Sequence, residues 1–390
     1  MKIVADAGIL GLEQYFSRLG ELSLIPGRDM HRAQLQDADV LLVRSITSVN
    51  ATLLKDTGIR FVGTATSGTD HIDLTYLREH QIEFAHAAGS NANAVVDYCF
   101  SALAHVELSG HHTPVADCTI GLIGAGEVGS RFAARLEALG MRYQVYDPPL
   151  EMRLRNGGIP TTAFFPALSR FVTLDTVLRS DIVSLHVPLS ESGEHKTRQL
   201  LDHERLQRLA PGCVIINTCR GAVVDEAALL EMLRSTDGTR CIVDVWENEP
   251  TIDPELVAAV EIATPHIAGY SENAKRNATA MLYRQLCHFI GSAQQLPESV
   301  SEAVAVSPRE PIDEKSHWRL LLDLLPLCEI DANCKASAKQ GAIAVQFDEM
   351  RVLLKSRGEF RDYQLDMTGL SKSQQSFLAA MGIQQYQARR

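Results

Sequence analysis

The sequence predicts an α/β protein: two doubly wound parallel-sheet domains followed by a small C-terminal α+β unit. Three observations carry this expectation. β-rich runs alternate with helical patterns through about the first 290 residues, the rhythm of βαβ units. A G-x-G-x-x-G run, Gly124-Ala125-Gly126-Glu127-Val128-Gly129, stands where a strand hands over to a helix. From Gly291 the composition turns to Ser, Pro, Glu and Asp before a last, shorter set of apolar segments.

The elements follow in order. In the first domain the expected strands are 2–6, 40–45, 61–66 and 82–86, with helical stretches at 12–19 and 76–80. A long apolar helix from 94 to about 108 crosses into the second domain, and the polar stretch 109–114 follows it. The second series of strands is 119–123, 143–147, 182–187, 214–217, 242–245 and 261–264, about six in all, as a complete dinucleotide-binding sheet requires. The helical segment 271–290 returns to the first domain, 294–315 reads as a linker, and the final unit holds a helix near 318–325 and a strand-like run at 342–347. The expected domains are therefore 1–93 with 270–291, 94–269, and 292–390.

Composition narrows the partners. A chain of 390 residues suits two or three domains, and 45% hydrophobic with 22% charged residues is ordinary for a soluble globular protein. The net charge of −11 argues against a nucleic-acid partner, which needs a basic face. No apolar run is long enough for a membrane span, and the N-terminus reads as a strand and not as a signal peptide. The 8 cysteines form no C-x-x-C pair and no zinc spacing, so they are expected to be reduced and buried, with no metal and a cytoplasmic location.

The glycine loop suits a dinucleotide for stated reasons. Gly124 permits the tight turn, Gly126 lets backbone approach the pyrophosphate, and Gly129 allows close helix–strand packing, while Glu127 and Val128 open the helix whose N-terminus faces the phosphates. Asp147 ends the next strand, where a carboxylate bonds a ribose diol and repels a 2′-phosphate, favouring NAD over NADP. Three later strand ends then deliver Arg220, Glu249 and His266 to one sheet edge. Oxidising a 2-hydroxy acid needs such a set. An imidazole takes the hydroxyl proton, a carboxylate orients the ring and stabilises its cation, and a guanidinium fork grips the substrate carboxylate.

The glycine loop, C-R-G-A-V-V-D (219–225), D-V-W-E-N-E-P (244–250) and T-P-H-I-A-G-Y (264–270) resemble the D-isomer-specific 2-hydroxyacid dehydrogenases. V-R-S-I-T (43–47), F-V-G-T-A-T-S-G-T-D-H-I-D (61–73), H-I-A-G-Y and the extra C-terminal unit narrow the resemblance to members that oxidise a phosphorylated sugar acid. The resemblance implies a flavodoxin-like substrate domain, a Rossmann NAD domain and a homodimer formed through the C-terminal unit. It implies oxidation of 4-phospho-D-erythronate to 3-hydroxy-2-oxo-4-phosphooxybutanoate in pyridoxal phosphate biosynthesis. Carried over by position, it assigns catalysis to Arg220, Glu249 and His266, and cofactor contacts to Asp147, Val187, Thr218, Cys219, Arg220, Asp244 and Gly269 beside the glycine loop. Substrate contacts fall to Ser45, Thr66 and Tyr270. Val187 stands where the family commonly has Thr, and 151–172 is longer than usual. The substrate phosphate needs a cation: Arg44 is the first candidate, with Arg351 or Arg361 of a second subunit behind it. His71, the His111-His112 pair and Cys219 as a reactive thiol are set aside as turn, loop and packing residues. The competing readings are a dehydrogenase of the 3-phosphoglycerate or glyoxylate/hydroxypyruvate type and a catalytically idle NAD-sensing partner protein.

Overall fold

Every residue of Val40–Val43 and Phe61–Thr64 is buried, as in strands covered by helices on both faces. They lie at the centre of the first sheet of the computed structural model, which describes residues 1–159, 162, 164–235, 238–293, 304–307, 312–354 and 356–386. The chain divides into two units, Met1–Asn91 with Ser271–Ser301 and Ala92–Tyr270 with Glu302–Arg390.

In the first unit five parallel strands, β1 (Lys2–Asp6), β2 (Glu21–Ile25), β3 (Val40–Val43), β4 (Phe61–Thr64) and β5 (Glu83–His86), take the flavodoxin-like order β2-β1-β3-β4-β5. Period-2 alternation sorts their side chains. Ile3, Ala5, Val40, Leu42 and Phe61 pack with Leu282 and Leu286 of the helix Glu272–Phe289, whereas Val4, Leu41, Val43 and Val62 pack with Leu35, Leu53 and Leu77. Strand β2 differs from expectation. The sequence reading runs a helix through 12–19 and places no strand between 2–6 and 40–45, but the helix is only Leu12–Phe16 and β2 follows it. An edge strand whose hydrophobicity alternates over only four residues, and whose burial does not alternate, leaves little period to find.

In the second unit the order is β11-β10-β9-β8-β6-β7, all parallel, from β6 (Thr119–Ile123), β7 (Arg142–Tyr146), β8 (Ile182–Leu185), β9 (Val214–Asn217), β10 (Arg240–Val243) and β11 (Ile262–Ala263). Outside β7, Phe171 makes a single parallel bridge to Val145, and the described part of the long 151–172 segment begins within the helix Pro148–Arg155. The chain reverses direction across the sheet between β6 and β8, the topological switch point where ligands of such sheets bind.

The C-terminal residues complete this unit. A parallel sheet of β12 (Val304–Val306), β13 (Tyr363–Leu365) and β14 (Gln384–Gln385) accompanies the helices Ser316–Leu324, Leu327–Lys339, Ile343–Leu353 and Lys372–Ala380. Most of the linker expected over 294–315 lies outside the described residues. Phe377 packs edge-to-face on Trp318 and Phe100, and Phe100 on Phe132, so this segment shares a core with the dinucleotide sheet. The strand expected at 342–347 is instead the start of the helix Ile343–Leu353. Ile343 and Phe347 are 6% and 1% exposed and Val345 is 75% exposed, the pattern of a helical face; a strand would put all three on one side.

Candidate active site

Three strand ends build the candidate centre, all within the second unit. Val243 of β10 is in register with Asn217 of β9 and Ala263 of β11, so the segments that follow leave the sheet together. Arg220 follows β9, half-buried, its Nη1 donating to the Cys219 carbonyl at 2.7 Å. Gly221 lies flat against the next segment: a Cβ there would sit 2.0 Å from the Trp246 carbonyl carbon. The Trp246 amide donates to Glu249 Oε1 at 2.9 Å, and the indole N–H donates to the Thr264 carbonyl at 3.0 Å. The other carboxylate oxygen of Glu249 lies 2.7 Å from His266 Nδ1. Arginine, carboxylate and imidazole are thus joined through one backbone segment, and the Glu249 bond leaves Nε2 as the ring nitrogen available for chemistry.

Electrostatics suit the pair. Burial pushes the Glu249 carboxyl up, but the charge and hydrogen bond of His266, then the Trp246 amide and the Arg351 charge, bring it below the ordinary glutamate value. Glu249 is therefore an anion at neutral pH, as a group that holds Nδ1–H and balances a protonated ring must be. His266 has φ 55°, a left-handed conformation that costs a residue other than glycine about 1 kcal/mol or more. The loop is held against that strain. The His266 amide donates to the Asp244 carbonyl (2.7 Å), and the amides of Ile267 and Ala268 donate to the Asp244 carboxyl (2.7 and 2.8 Å). Asp244, expected among the cofactor contacts, is 0% exposed, with its carboxyl bonded to this loop.

Glu226 was not foreseen. It opens the helix Glu226–Arg234, accepts the Glu247 amide at 2.8 Å, and is pushed up to about 7 by burial and by the charges of Glu247, Asp253 and Glu249. Its folded value lies above the unfolded one, so the native state keeps a proton that the unfolded chain has lost. Stability therefore falls as pH rises from the unfolded value of 4.5 to about 7, and is level above. Glu226→Gln is expected to gain on the order of 1 kcal/mol over the parent at pH 8 and nothing at pH 4, allowing for solvent screening; urea unfolding at both values checks it.

At the β6–β8 switch point the glycine loop meets the demands of a dinucleotide. Gly124 has φ 93°, and a Cβ there would meet the His186 backbone at 2.8 Å and Val187 Cγ1 at 2.9 Å. A Cβ at Gly126 would meet nothing within 4 Å, so this face is open to a ligand. The helix Glu127–Ala138 has no side-chain cap at Gly126, which leaves its first amides for phosphate oxygens. Asp147 ties the next strand to the loop: Oδ2 accepts the Ala125 amide at 2.8 Å, while Oδ1 caps the following helix through Leu150 N at 3.0 Å. The capping role and the loop contact coexist on one carboxylate. Thr218 and Cys219 are buried at 9% and 8% exposure, and burial pushes the Cys219 thiol up to about 11, as suits a packing residue and not a reactive one. Gly129→Ala would place Cβ 2.1 Å from the Gly124 carbonyl oxygen. The loop must then open, and NAD affinity is expected to fall about tenfold or more, read by titrating protein fluorescence.

The expected substrate residues fall in both units. Gly269 and Tyr270 end the His266 loop, and the Arg351 guanidinium lies 5.4 Å over the Tyr270 ring of its own chain. The misread helix Ile343–Leu353 hid that position. Arg361 pairs instead with Glu359 at 2.9 Å. In the first unit Arg44 and exposed Ser45 follow β3 at the β1/β3 switch point. Buried Asp6 grips Arg44 by two oxygens, at 2.8 and 3.1 Å. Thr66 donates to the Gly68 carbonyl at 2.8 Å, and Thr64 joins it to His71 Nε2 at 2.9 Å, an interior role for His71. Among the described residues no cluster of His, Cys, Asp and Glu could hold a metal ion, and no helix is long and apolar enough to cross a membrane.

Residues 101–268 match the family model of the D-isomer specific 2-hydroxyacid dehydrogenase, NAD binding domain. An erythronate-4-phosphate dehydrogenase of Cronobacter sakazakii is 41% identical over 370 residues, 92% of each chain. One from Hahella chejuensis is 37% identical over 98% of this chain and 99% of its own. The chain belongs to the D-isomer specific 2-hydroxyacid dehydrogenase family. The NAD-bound 3-phosphoglycerate dehydrogenase of Entamoeba histolytica shares the fold, with TM-score 0.61 and 24% identity over 75% of this chain and 95% of its own. As a family member the chain is an NAD-dependent dehydrogenase, and bound NAD supplies the hydride acceptor. The glycine loop, Asp147 and the open face at Gly126 are the residues that would hold it.

Proposed function

We propose that the chain oxidises 4-phospho-D-erythronate to 3-hydroxy-2-oxo-4-phosphooxybutanoate. The observation that carries the chemistry is the 2.7 Å Glu249–His266 pair, at strand ends neighbouring the one that Arg220 follows, in an NAD-binding domain. His266 Nε2 takes the C2 hydroxyl proton, Glu249 holds the ring and balances its charge, and Arg220 grips the carboxylate beside C2. Arg44, prealigned by Asp6, is the cation proposed for the phosphate, with Ser45, Thr66 and Tyr270 as further substrate contacts. The substrate assignment is supported by relatives of the same name over nearly the whole chain. We further propose a cytoplasmic homodimer formed through the C-terminal residues, whose exposed Val345, Val352 and Leu353 suit a buried face.

The test is a substrate panel with NAD: 4-phosphoerythronate, erythronate, 3-phosphoglycerate, glycerate and glycolate, read as NADH absorbance. Turnover confined to 4-phosphoerythronate is expected. Equal use of erythronate sinks the phosphate assignment, preference for 3-phosphoglycerate or the smaller acids moves the chain to those branches, and no turnover at all favours the NAD-sensing alternative.

A further inference from the structure

The segment after His266 is held from two sides. On the amide side lies the Asp244 carboxyl, which also accepts the Thr264 hydroxyl at 2.6 Å. On the carbonyl side lies Arg357, from the C-terminal residues and 8% exposed. It donates to the carbonyl oxygens of Ala268 (2.9 Å) and Ile267 (3.3 Å), and through Nη2 also to that of Ala94 (3.1 Å) in the first turn of the helix Ala92–Leu108. The same two residues, Ile267 and Ala268, thus offer their N–H groups to a buried carboxyl and their C=O groups to a buried guanidinium. Their peptide dipoles run along the field between the two, so each group satisfies the loop and is satisfied by it.

We infer that Arg357 is a positioning residue for catalysis: with Asp244 it holds the His266 loop in its left-handed conformation, and so sets where the imidazole presents Nε2. A neutral residue of equal size would take this donor from the Ala268 carbonyl, and a second donor from the Ile267 carbonyl, which also accepts the Tyr270 amide at 2.9 Å, and from the helical Ala94 carbonyl. Lysine keeps the charge but lacks the planar fork that reaches Ile267, Ala268 and Ala94 together. The segment bearing Arg357 is itself anchored. The Phe360 amide donates to Asp97 at 2.8 Å, and Asp97 binds Arg135 of the glycine-loop helix at 2.5 Å. The C-terminal residues thereby reach both the proton-transfer loop and the cofactor helix, a role separate from forming a dimer. Asp97, Asp244 and Glu359 are the acidic groups facing Arg357.

This inference rests on His266 being the proton acceptor, so its test has an arm that needs no turnover. Arg357→Lys, Arg357→Met and, as a control in the same core, Trp318→Phe are compared with the parent. Readouts are kcat, NAD affinity, and the His266 ring resonance followed by NMR through its titration, the signal being assigned by its loss in His266→Asn. Arg357→Lys is expected to lose kcat on the order of 10–100-fold, to keep NAD affinity within about threefold, and to displace the His266 titration. Trp318→Phe leaves all three near the parent. Parental kcat and an unmoved ring titration in Arg357→Lys overturn the inference. A folded Arg357→Met variant that behaves like the parent, or an Arg357→Lys protein that does not fold, also counts against it, the latter assigning Arg357 to stability alone. If the parent itself oxidises no 2-hydroxy acid, the functional reading fails, while the ring titration still reports whether Arg357 holds the loop.

Discussion

His266→Asn is expected to lower kcat by about 10²–10⁴-fold, the usual contribution of a positioned acid–base group, with NAD affinity and melting temperature close to the parent. The choice of asparagine matters. With φ 55° at this position, alanine or a β-branched residue adds backbone strain and confounds lost chemistry with a displaced loop, whereas asparagine is among the side chains that tolerate the left-handed region. The backbone bonds that hold the position, His266 N–H to the Asp244 carbonyl and the two amides that follow, use no ring atom and survive the change. The parent's kcat should fall at low pH as the ring becomes protonated, and the residual rate of the variant should lose that limb. Glu249 does not supply the limb, because His266 keeps its carboxyl below the ordinary range. Steady-state kinetics with 4-phosphoerythronate between pH 5 and 9 decide the matter. A loss smaller than about tenfold, or a surviving acidic limb, removes His266 from proton transfer.

The parts of this centre that could be read from the sequence are those governed by local rules. A strand followed by G-x-G-x-x-G has few other uses, and residues just beyond consecutive parallel strands must emerge at one edge, which is why the sequence alone groups Arg220, Glu249 and His266. What remained illegible depends on tertiary neighbours. Glu226 reads as an ordinary first-turn helix carboxylate; only burial, with the charges of Glu247, Asp253 and Glu249 around it, gives it its proton affinity. Arg357 lies in a short irregular stretch with no periodicity to mark it, and its partners are carbonyls far off in the chain. Arg351 was hidden by a wrong period: I-A-V-Q-F fits a strand by composition, and only the exposure of Val345 between buried Ile343 and Phe347 reveals the helix. The edge strand β2 had a different problem, an alternation that covers only four residues before it ends.

Asp244→Ala is expected to cost about 3–5 kcal/mol, the range for removing one partner from a buried charged network, and to lower the melting temperature by roughly 6–20 °C. The side chain is 0% exposed and accepts three donors, the Thr264 hydroxyl and the amides of Ile267 and Ala268. Alanine leaves the two amides without this acceptor and the Thr264 hydroxyl with Tyr98 alone, around a space that the lost carboxyl had filled. The Thr264 hydroxyl also joins Tyr98 at 2.7 Å, so the damage extends into the helix Ala92–Leu108. Asp244→Asn separates geometry from charge. Its amide oxygen can still accept from one side of the loop, but its NH₂ turns a donor toward another donor, so an intermediate loss is expected. Thermal unfolding of the two variants, with and without saturating NAD, makes the comparison. Because the Asp244 carboxyl is taken up by Thr264 and the loop amides, NAD should raise the melting temperature of Asp244→Asn by nearly as much as it raises that of the parent. If that rise disappears while the variant without NAD melts like the parent, Asp244 is a direct cofactor ligand and the loop role falls.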